Sequence, residues 1–486
     1  MASASARHQQ APEGAILKVA LTALAGSSIE WYDFFIYGTA AALIFPAIFF
    51  PEASPLTGTL LSFGTFGVAF IGRPLGGVIF GHFGDKLGRK KALVTALVIM
   101  GTATTLIGLL PTVATIGIAA PIILTILRFV QGIAVGGQWG GAVLLAVESA
   151  PVNRRGFYGS FAQVGVPVGV ILANIVFLVL TLTLGADSAA FQAWGWRIPF
   201  LLSIILIGIG LYIQLVLEDT PAFRHLQEAK QGQDEAYIRQ IAEQHNKSFE
   251  EARAEVQAER EGSPIVEAFR VYWKQIFLAA GAFVAINGNF YIFISFILAY
   301  GTNEEILGLP QTTMLAAVLI SSVVQVFGLL YFAGLSDRLG RRSLYMAGAI
   351  LLGVFSFIFW PMVDTGNFIL ITLALILGNA VFLSMMYGPQ AAFYSEIFST
   401  RVRYSGVSLG YQIGSIFGGA LAPIIATALL ARFNSSTPIA VYMAVLCAIT
   451  LLCTYLLTET RGADMDEMSA VEREHGTASG VQEPTT

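Results

Sequence analysis

Two acidic residues stand in the middle of the first apolar run of this 486-residue chain. Glu30 and Asp33 are three positions apart and Tyr37 follows four positions later, so a helix would place all three side chains on one face. In a membrane, carboxylates are costly unless they face a wet cavity or a partner. Burial and mutual repulsion both favour the protonated form, which suits proton uptake. The alternative is a fixed buried ion pair with Arg128 or Arg73.

Two arginines also lie inside apolar runs. Arg128 stands one helical turn before Gln131, and Arg73 directly precedes Pro74. The planar guanidinium keeps its charge and suits two parallel hydrogen bonds to a carboxylate. Each arginine could therefore bind an anionic solute or pair with the carboxylates of the first run. An organic anion is the favoured solute, and a zwitterion such as proline or betaine, bound by one arginine and one carboxylate, is the alternative.

Neutral polar side chains in the apolar runs could hydrogen-bond the hydroxyl and carbonyl groups of a small solute, although such groups serve equally as bonds between helices. We expect proton coupling at Glu30, Asp33 and Arg128. The predicted solute ligands are Arg73, Arg128, Tyr37, Gln131, Gln138, Asn287, Asn289, Tyr387 and Gln412. The second half of the chain lacks comparable buried charges, so we expect protons to be handled in the first half and solute discrimination to be shared.

The elements that must position these residues are membrane helices. Charged residues make up 12% of the chain, against roughly 25% in soluble proteins. They lie in short groups between apolar runs of about 20 residues, the length that crosses a bilayer as a helix. The runs predict an all-α protein of twelve transmembrane helices, at 20–45, 57–83, 92–111, 116–147, 157–184, 195–217, 275–300, 311–335, 343–362, 367–393, 404–431 and 437–457.

Basic residues predict the orientation of these helices. Most of the 27 Lys and Arg residues lie in the two tails and in alternate connections. The opposite connections, at 46–56, 111–116, 301–310 and 361–367, hold none. Because basic residues are retained on the cytoplasmic side, both termini are expected there. The small net charge of −4 argues against nucleic acid as a partner.

The chain repeats itself at the cytoplasmic connections. GHFGDKLGRK at 81–90 aligns with AGLSDRLGRR at 333–342, and VESAPVNRRG at 147–156 answers SEIFSTRVRYSG at 395–406. Both matches have nearly the same separation and both copies face the cytoplasm. The pattern predicts two parallel six-helix repeats, which can rock about a central site.

These motifs resemble the major facilitator superfamily. Its signature loop is similar to residues 81–91, with a partial copy at 333–343, and its second motif is similar to Arg128–Gly132. EWYDF at 30–34, RPLGG at 73–77 and WGWRIPF at 194–200 resemble the metabolite:proton symporter family, and residues 136–151 and 165–177 its shikimate-type branch. Members of that family carry dicarboxylates, oxo-acids, citrate, shikimate, proline and betaine. The resemblance implies uptake of a small organic acid by proton symport through alternating access.

The signature loop and its copy are expected to form a gate. A carboxylate is stabilised at a helix N-terminus by free amides and the helix dipole. The resemblance suggests that Asp85 contacts the eleventh span and, by symmetry, Asp337 the fifth, with Arg89 and Arg341 completing these contacts. The alternative is that the basic residues only set topology. The predicted gate residues are Gly81, Asp85, Gly88, Arg89, Asp337, Gly340 and Arg341.

The spans divide the chain into two bundles, 18–217 and 274–457, joined by a cytoplasmic linker at 218–273 and flanked by cytoplasmic tails at 1–17 and 458–486. The linker is expected to be a connector with partly amphipathic helices, and a regulatory docking surface is the alternative. No metal cluster, cofactor or nucleophile motif is readable, so an enzyme is not expected. The predicted protein is a multi-pass, monomeric protein of the bacterial inner membrane whose partners are lipid, a small solute and protons. A sensor that binds a solute without transporting it is the alternative from another class.

Overall fold

The computed structural model describes most of the chain. The described residues are 13–87, 89–136, 139–148, 150–186, 188–217, 235, 238–243, 247–254, 264–399 and 402–462. Some of their side chains are outside the description, among them all of those at 81–87 and 89–93, where the backbone is helical.

Six long helical segments form the first half. The fourth is described in two parts, on either side of residues 137–138. They are α1 (Glu13–Leu43), α2 (Pro55–Leu87), α3 (Arg89–Leu109), α4 (Ala119–Gly136 and Trp139–Glu148), α5 (Arg155–Leu184) and α6 (Ile198–Leu217). Short helices at the connections are Phe45–Phe49, Val113–Ile116, Val152–Arg154, Ala189–Ala193 and Gly195–Arg197.

Six further segments form the second half, and three of them change to π-helical turns in their middle. They are α7 (Pro264–Tyr291, π-helical Ile292–Phe296, then Ile297–Thr302), α8 (Gln311–Leu339), α9 (Arg341–Asp364), α10 (Phe368–Leu375, π-helical Ile376–Leu383, then Ser384–Ile397), α11 (Arg403–Ser415, π-helical Ile416–Ala420, then Leu421–Phe433) and α12 (Thr437–Leu456).

Ten stretches of the described residues are long and apolar enough to cross a membrane. α1 is not among them because Glu30 and Asp33 interrupt its apolar middle, and in α3 the apolar part is confined to Val94–Leu109. With these two, the described helices match the twelve predicted spans. Several start earlier than predicted; α7, for example, begins at Pro264 rather than near 275, because its first turns continue the helix beyond the apolar run. Successive spans alternate in direction, so α1 begins and α12 ends at one face of the bundle, here called the terminal face.

Glycines bring α2 and α4 into backbone contact. A Cβ on Gly132 would lie 2.0 Å from the carbonyl oxygen of Ala69, and one on Gly136 would lie 1.9 Å from that of Arg73. On the other helix, a Cβ on Gly76 would lie 1.9 Å from the carbonyl oxygen of Ile133. Small residues allow membrane helices to pack this closely. The contact also positions Arg73 and Arg128, which lie on these two helices.

The two halves meet at both ends of the bundle. Near the terminal face, the side chain of Gln163 on α5 donates to the Tyr387 carbonyl on α10 at 3.2 Å. Towards the opposite face, a Cβ on Gly38 of α1 would lie 2.9 Å from the Ser295 hydroxyl of α7. A small cavity lies between these two contacts.

Part of the linker is described as two short helical stretches, at 238–243 and 249–254. Their apolar residues pack on one another, with Ile238, Ala242 and Ala252 buried against Ile241 and Phe249. The predicted amphipathic character of this segment is therefore visible in its described part.

Candidate functional site

A small cavity lies at the interface of the two halves, midway through the bundle. Its volume is only about 10 Å³, and most of its wall is aromatic. α1 and α5 supply the first-half wall, while α7, α10 and α11 supply the rest. The lining residues are Trp31, Val166, Phe283, Ile286, Asn287, Phe290, Tyr291, Leu383, Tyr387 and Tyr411.

Arg73 lies one aromatic layer behind this cavity. Its guanidinium carbon is 4.4 Å from the ring centroid of Phe34, 4.5 Å from that of Phe70 and 5.3 Å from that of Trp31. It interacts electrostatically with Tyr291 on α7. Its Nε and Nη2 atoms are buried without a hydrogen-bond partner. The positive charge is therefore held by ring faces next to the cavity wall.

Arg128 occupies the other side of the same aromatic cluster. Its guanidinium carbon is 4.0 Å from the ring centroid of Phe34 and 4.2 Å from that of Tyr37. Nη1 donates to the side chain of Gln131 at 3.0 Å, while Nε and Nη2 have no partner. Phe34 thus separates two buried guanidinium groups, and four of their nitrogen atoms are left with unused donors.

Asp33 is fully buried on α1, on the side of Arg128. Its Oδ2 accepts a hydrogen bond from Thr104 on α3 at 3.3 Å, and its Oδ1 has no partner. Neither arginine pairs directly with it, since no described carboxylate lies within 4.0 Å of Arg73 or Arg128. The fixed ion pair considered from the sequence is therefore absent from this conformation. Glu30 is half-buried one turn closer to the terminal face.

Two of the predicted solute ligands line the cavity. The Asn287 side-chain nitrogen is buried there without a hydrogen-bond partner, and Tyr387 bonds the hydroxyl of Tyr411. Asn289 lies on the opposite side of α7 from the cavity, where its amide donates to the Ala285 carbonyl at 2.9 Å and contacts Cys447 of α12. Its role as a solute ligand stays a prediction.

Of the remaining predicted ligands, those that the structure describes lie outside the cavity wall, and their role in solute binding stays a prediction. Tyr37 donates to Thr65 at 2.7 Å beneath Arg128, and Gln131 lies within the polar chain of the first half. Gln412 of α11 donates across the two halves to the Gly136 carbonyl at 3.2 Å. Gln138 lies outside the described residues.

Sequence reasoning missed Trp31, Tyr291 and Tyr411 as cavity residues. Trp31 stands inside the motif at 30–34 that also holds both carboxylates, and the tyrosines stand near the middle of their spans. Mid-span aromatic residues beside charged motifs are the signal that could have identified them. Thr104 was missed because one hydroxyl in an apolar run carries no signal of its own.

The second-half copy of the signature loop lies against the first half at the terminal face. Asp337 of α8 accepts hydrogen bonds from the backbone amides of Gly156 at 2.9 Å and Phe157 at 3.0 Å, at the start of α5. Arg341 bonds Asp337 at 2.6 Å and Glu396 of α10 at 3.3 Å. Asp337 therefore occupies the helix N-terminus expected for it.

The first-half copy of the signature loop, at 81–91, lies where side chains are outside the description. The side chains of Gly81, Asp85 and Arg89 belong to the part of α2 and α3 whose side chains are not described, and Gly88 lies outside the described residues. A further contact between the halves is visible nearby. Arg403, at the start of α11, bonds Glu148 at the end of α4 at 3.4 Å.

The segment after α12 contacts the same cluster of residues at the terminal face. The Glu459 carboxylate accepts from the backbone amides of Arg341 at 2.9 Å and Arg342 at 3.0 Å, which caps α9. Gly340, with φ of 101°, leaves room for it, because a Cβ there would lie 2.7 Å from a carboxylate oxygen. Thr460 donates to Glu396 at 2.7 Å.

Residues 19–471 match the family of sugar (and other) transporters. The chain belongs to this family. It is a multi-pass membrane protein and a transporter of small molecules, not an enzyme.

Family relatives align along almost the whole chain. The inner membrane metabolite transport protein YhjE of Escherichia coli K12 is 38% identical over 91% of this chain and 94% of its own length. The shikimate transporter of the same strain is 37% identical over 92% of this chain and 95% of its own length. A proline/betaine transporter of that strain is 33% identical over 92% of this chain and 84% of its own length.

A solved structure shares the transporter fold. The proton:xylose symporter XylE, a major facilitator superfamily protein, superposes with a TM-score of 0.71 at 19% identity, covering 95% of this chain and 99% of its own. The predicted superfamily membership and the fold of twelve helices in two parallel six-helix repeats are confirmed.

Proposed function

We propose that this transporter takes up a small organic acid together with protons by alternating access. The observation that carries the proposal is the pair of buried guanidinium groups of Arg73 and Arg128 near the cavity, with unused hydrogen-bond donors. A buried donor without a partner costs about 1–3 kcal/mol. A carboxylate that entered this region would relieve that cost and compensate the positive charge.

Asp33 supports the proton part of the proposal. A buried carboxyl group that is not paired directly with an arginine can hold a proton while the cavity is closed and release it when the cavity opens to water. Glu30, one turn nearer the terminal face, is suited to pass protons between Asp33 and that side. Arg128 lies close enough to respond to the charge of Asp33 without a direct bond.

Specific features of the cavity wall favour a cyclic solute such as shikimate. Six aromatic rings line the space and can pack on an apolar ring face, while Asn287 and the Tyr387–Tyr411 pair offer hydrogen bonds to hydroxyl groups. The relative that is named a shikimate transporter agrees with this choice. Dicarboxylates and oxo-acids remain within the proposed class.

A second candidate is a zwitterion such as betaine or proline. The same aromatic rings could bind a quaternary ammonium group by cation–π contact, and Arg73 could attract the carboxylate through its contact with Tyr291. Relatives named proline/betaine transporters support this alternative.

In this proposal, the two bundles, 18–217 and 274–457, rock about the cavity during transport. The basic connections favour a cytoplasmic location, in a bacterium, for the terminal face, both tails and the 218–273 linker. The working unit in this proposal is a monomer. Asp337, Gly340 and Arg341, with Gly81, Asp85, Gly88 and Arg89 as their first-half counterparts, would close the cytoplasmic side and separate when it opens.

The test is an uptake panel with purified protein in proteoliposomes. Labelled shikimate, a dicarboxylate, an oxo-acid, proline and betaine are offered at two external pH values, with and without a protonophore. We expect acid-stimulated accumulation of an organic acid, abolished by the protonophore. Accumulation of betaine or proline alone would select the zwitterion, and accumulation unaffected by the protonophore would reject proton symport. Binding of a panel member without any flux would favour the sensor.

A further inference from the structure

A chain of hydrogen bonds joins Arg128 to Asp33 through two neutral side chains. Arg128 donates to the Gln131 Oε1 atom at 3.0 Å, and Gln131 Nε2 donates to the Thr104 hydroxyl at 2.6 Å. Thr104 in turn lies 3.3 Å from Asp33 Oδ2. All four side chains are buried, between 0% and 1% exposed. The chain runs from α4 through α3 to α1.

Thr104 has two acceptors for its single hydroxyl proton. One is Asp33 Oδ2, and the other is the backbone carbonyl of Met100, one turn back on α3, at 2.9 Å. A hydroxyl can donate only one hydrogen bond at a time but can accept two. The position of the Thr104 proton is therefore a choice between these two oxygen atoms.

The protonation of Asp33 decides that choice. When Asp33 is ionised it can only accept, so Thr104 donates to it. When Asp33 is protonated, its own hydroxyl can donate to the Thr104 oxygen, and the Thr104 proton then turns to the Met100 carbonyl. No proton leaves Thr104 in either arrangement, and every donor of the pair keeps an acceptor. The Thr104 oxygen carries one donated bond from Gln131 in the first arrangement and two donated bonds in the second.

We propose that Thr104 is a positioning residue for coupling, whose hydroxyl rotation transmits the protonation state of Asp33 to Gln131 and from there to Arg128. The inference rests on the proposed proton symport and adds a residue to it. When the Thr104 oxygen accepts a second hydrogen bond, the bond that it accepts from Gln131 becomes weaker. The Gln131 amide, which orients Arg128, is then less constrained. The arginine that is suited to a carboxylate thereby responds to a proton that it does not contact.

The surroundings of Asp33 leave this route open. Among the described residues, the titratable groups that interact with it are Tyr32 on its own helix and Arg128 on α4. From α3 and α6, the described neighbours are the hydroxyl groups of Thr104 and Ser203. A threonine bond to the carbonyl four residues back is common in membrane helices. That bond alone would not require the short contact with Gln131 or the contact with Asp33.

The network is tested without transport by infrared difference spectroscopy of the purified protein between acid and alkaline pH. The carbonyl stretch of the protonated Asp33 carboxyl is identified as the band that Asp33→Asn removes. Thr104→Val keeps the side-chain shape and removes the hydroxyl, so we expect this band to move. It should stay in place in Thr104→Ser and in the control Thr102→Val, which alters an exposed threonine two residues away on α3. A band unmoved in Thr104→Val overturns the proposed contact.

The coupling role is tested with labelled shikimate in proteoliposomes, by measuring solute exchange without a gradient and proton uptake per solute. Thr104→Val should retain exchange and lower proton uptake per solute at least about tenfold, the effect of one hydrogen bond to a charged group. Thr104→Ser should restore it.

The outcomes separate this inference from the proposed function. Wild-type coupling that persists in Thr104→Val overturns the inference alone. Equal loss of exchange and proton uptake in Thr104→Val and Thr104→Ser indicates a structural role and overturns it too. A wild-type protein that moves solute without protons rejects the proposed symport and, with it, the coupling role of Thr104.

Discussion

The two halves of this transporter bury different kinds of polar group at the middle of the bundle. The first half holds Asp33, Arg73 and Arg128, which are charged or can be. At the corresponding depth the described part of the second half holds neutral groups, among them Gln325 and Asn379, which exchange two hydrogen bonds at 2.9 and 3.2 Å between α8 and α10. The two repeats share one arrangement of helices, and the buried side chains that differ between them suit different functions.

The backbones differ in the same way. In the part of the chain that the structure describes, π-helical turns occur in α7, α10 and α11 of the second half and not in the helices of the first half. Such turns often mark functional positions in helices. α7, α10 and α11 also supply most of the cavity wall. The comparison therefore predicts that substitutions in the first half alter proton coupling and those in the second half do not, whereas substitutions in either half can alter solute binding.

The largest effect is expected from Asp33→Asn, which removes a fully buried carboxylate on the side of Arg128. Accumulation of the transported solute should fall to the level of protonophore-treated wild-type cells, while exchange of internal for external solute persists. The matched control is Asn289→Ala, a buried change on α7 that lies away from the cavity. Asp33→Asn cells that still concentrate the solute would refute the proton role of the first half.

A smaller effect is expected from Arg73→Lys, which keeps the charge but loses the planar group that stacks on Phe34 and interacts with Tyr291. Solute affinity should fall roughly ten- to hundredfold, since a hydrogen bond involving a charged group is worth about 1.5–3 kcal/mol. Binding is measured by isothermal calorimetry. Arg432→Lys, at an exposed position, is the control. Unchanged affinity would place the solute away from Arg73.

The proposed gate sharpens the comparison because it contains residues of both halves. Its loss should change the closure of the terminal face and should not act specifically on proton coupling or on solute selection. Asp337→Asn removes the charge that holds the first amides of α5. Deuterium exchange at residues 155–163 should rise about tenfold, again the effect of a charge-assisted hydrogen bond. Asp364→Asn, at the opposite face, where Asp364 accepts from Tyr300 and Ser436, is the control. Equal exchange in both variants would contradict the gate.

The smallest effect is expected from Gln325→Leu, which breaks the neutral bonds between α8 and α10. Hydrogen bonds between membrane helices average about 0.6 kcal/mol, so thermal unfolding should shift by only a few degrees. Proton uptake per solute should be unchanged. A loss of coupling in this variant would break the division between the halves.

The amino-acid sequence was sufficient to predict the helices, their number and the repeat. The lengths of the apolar runs and the positions of the basic residues can be seen directly from the order of residues along the chain. It also identified Asp33, Arg73 and Arg128, since charge is rare in apolar runs. It could not predict which neutral groups face the cavity. Asn287 and Asn289 are two positions apart on α7, yet one lines the cavity and the other faces α12, and near-continuous apolar content hides that rotation. A role for Thr104 became apparent only from the structure, in which α1, α3 and α4 pack together.

The division of labour is tested most directly by measuring proton and solute fluxes together in proteoliposomes that contain Asp33→Asn or Asn287→Ala. The account predicts that Asp33→Asn exchanges solute but moves no protons with it. Asn287→Ala should keep the wild-type number of protons per solute while its solute affinity falls. A changed proton number in Asn287→Ala, together with normal coupling in Asp33→Asn, would contradict it.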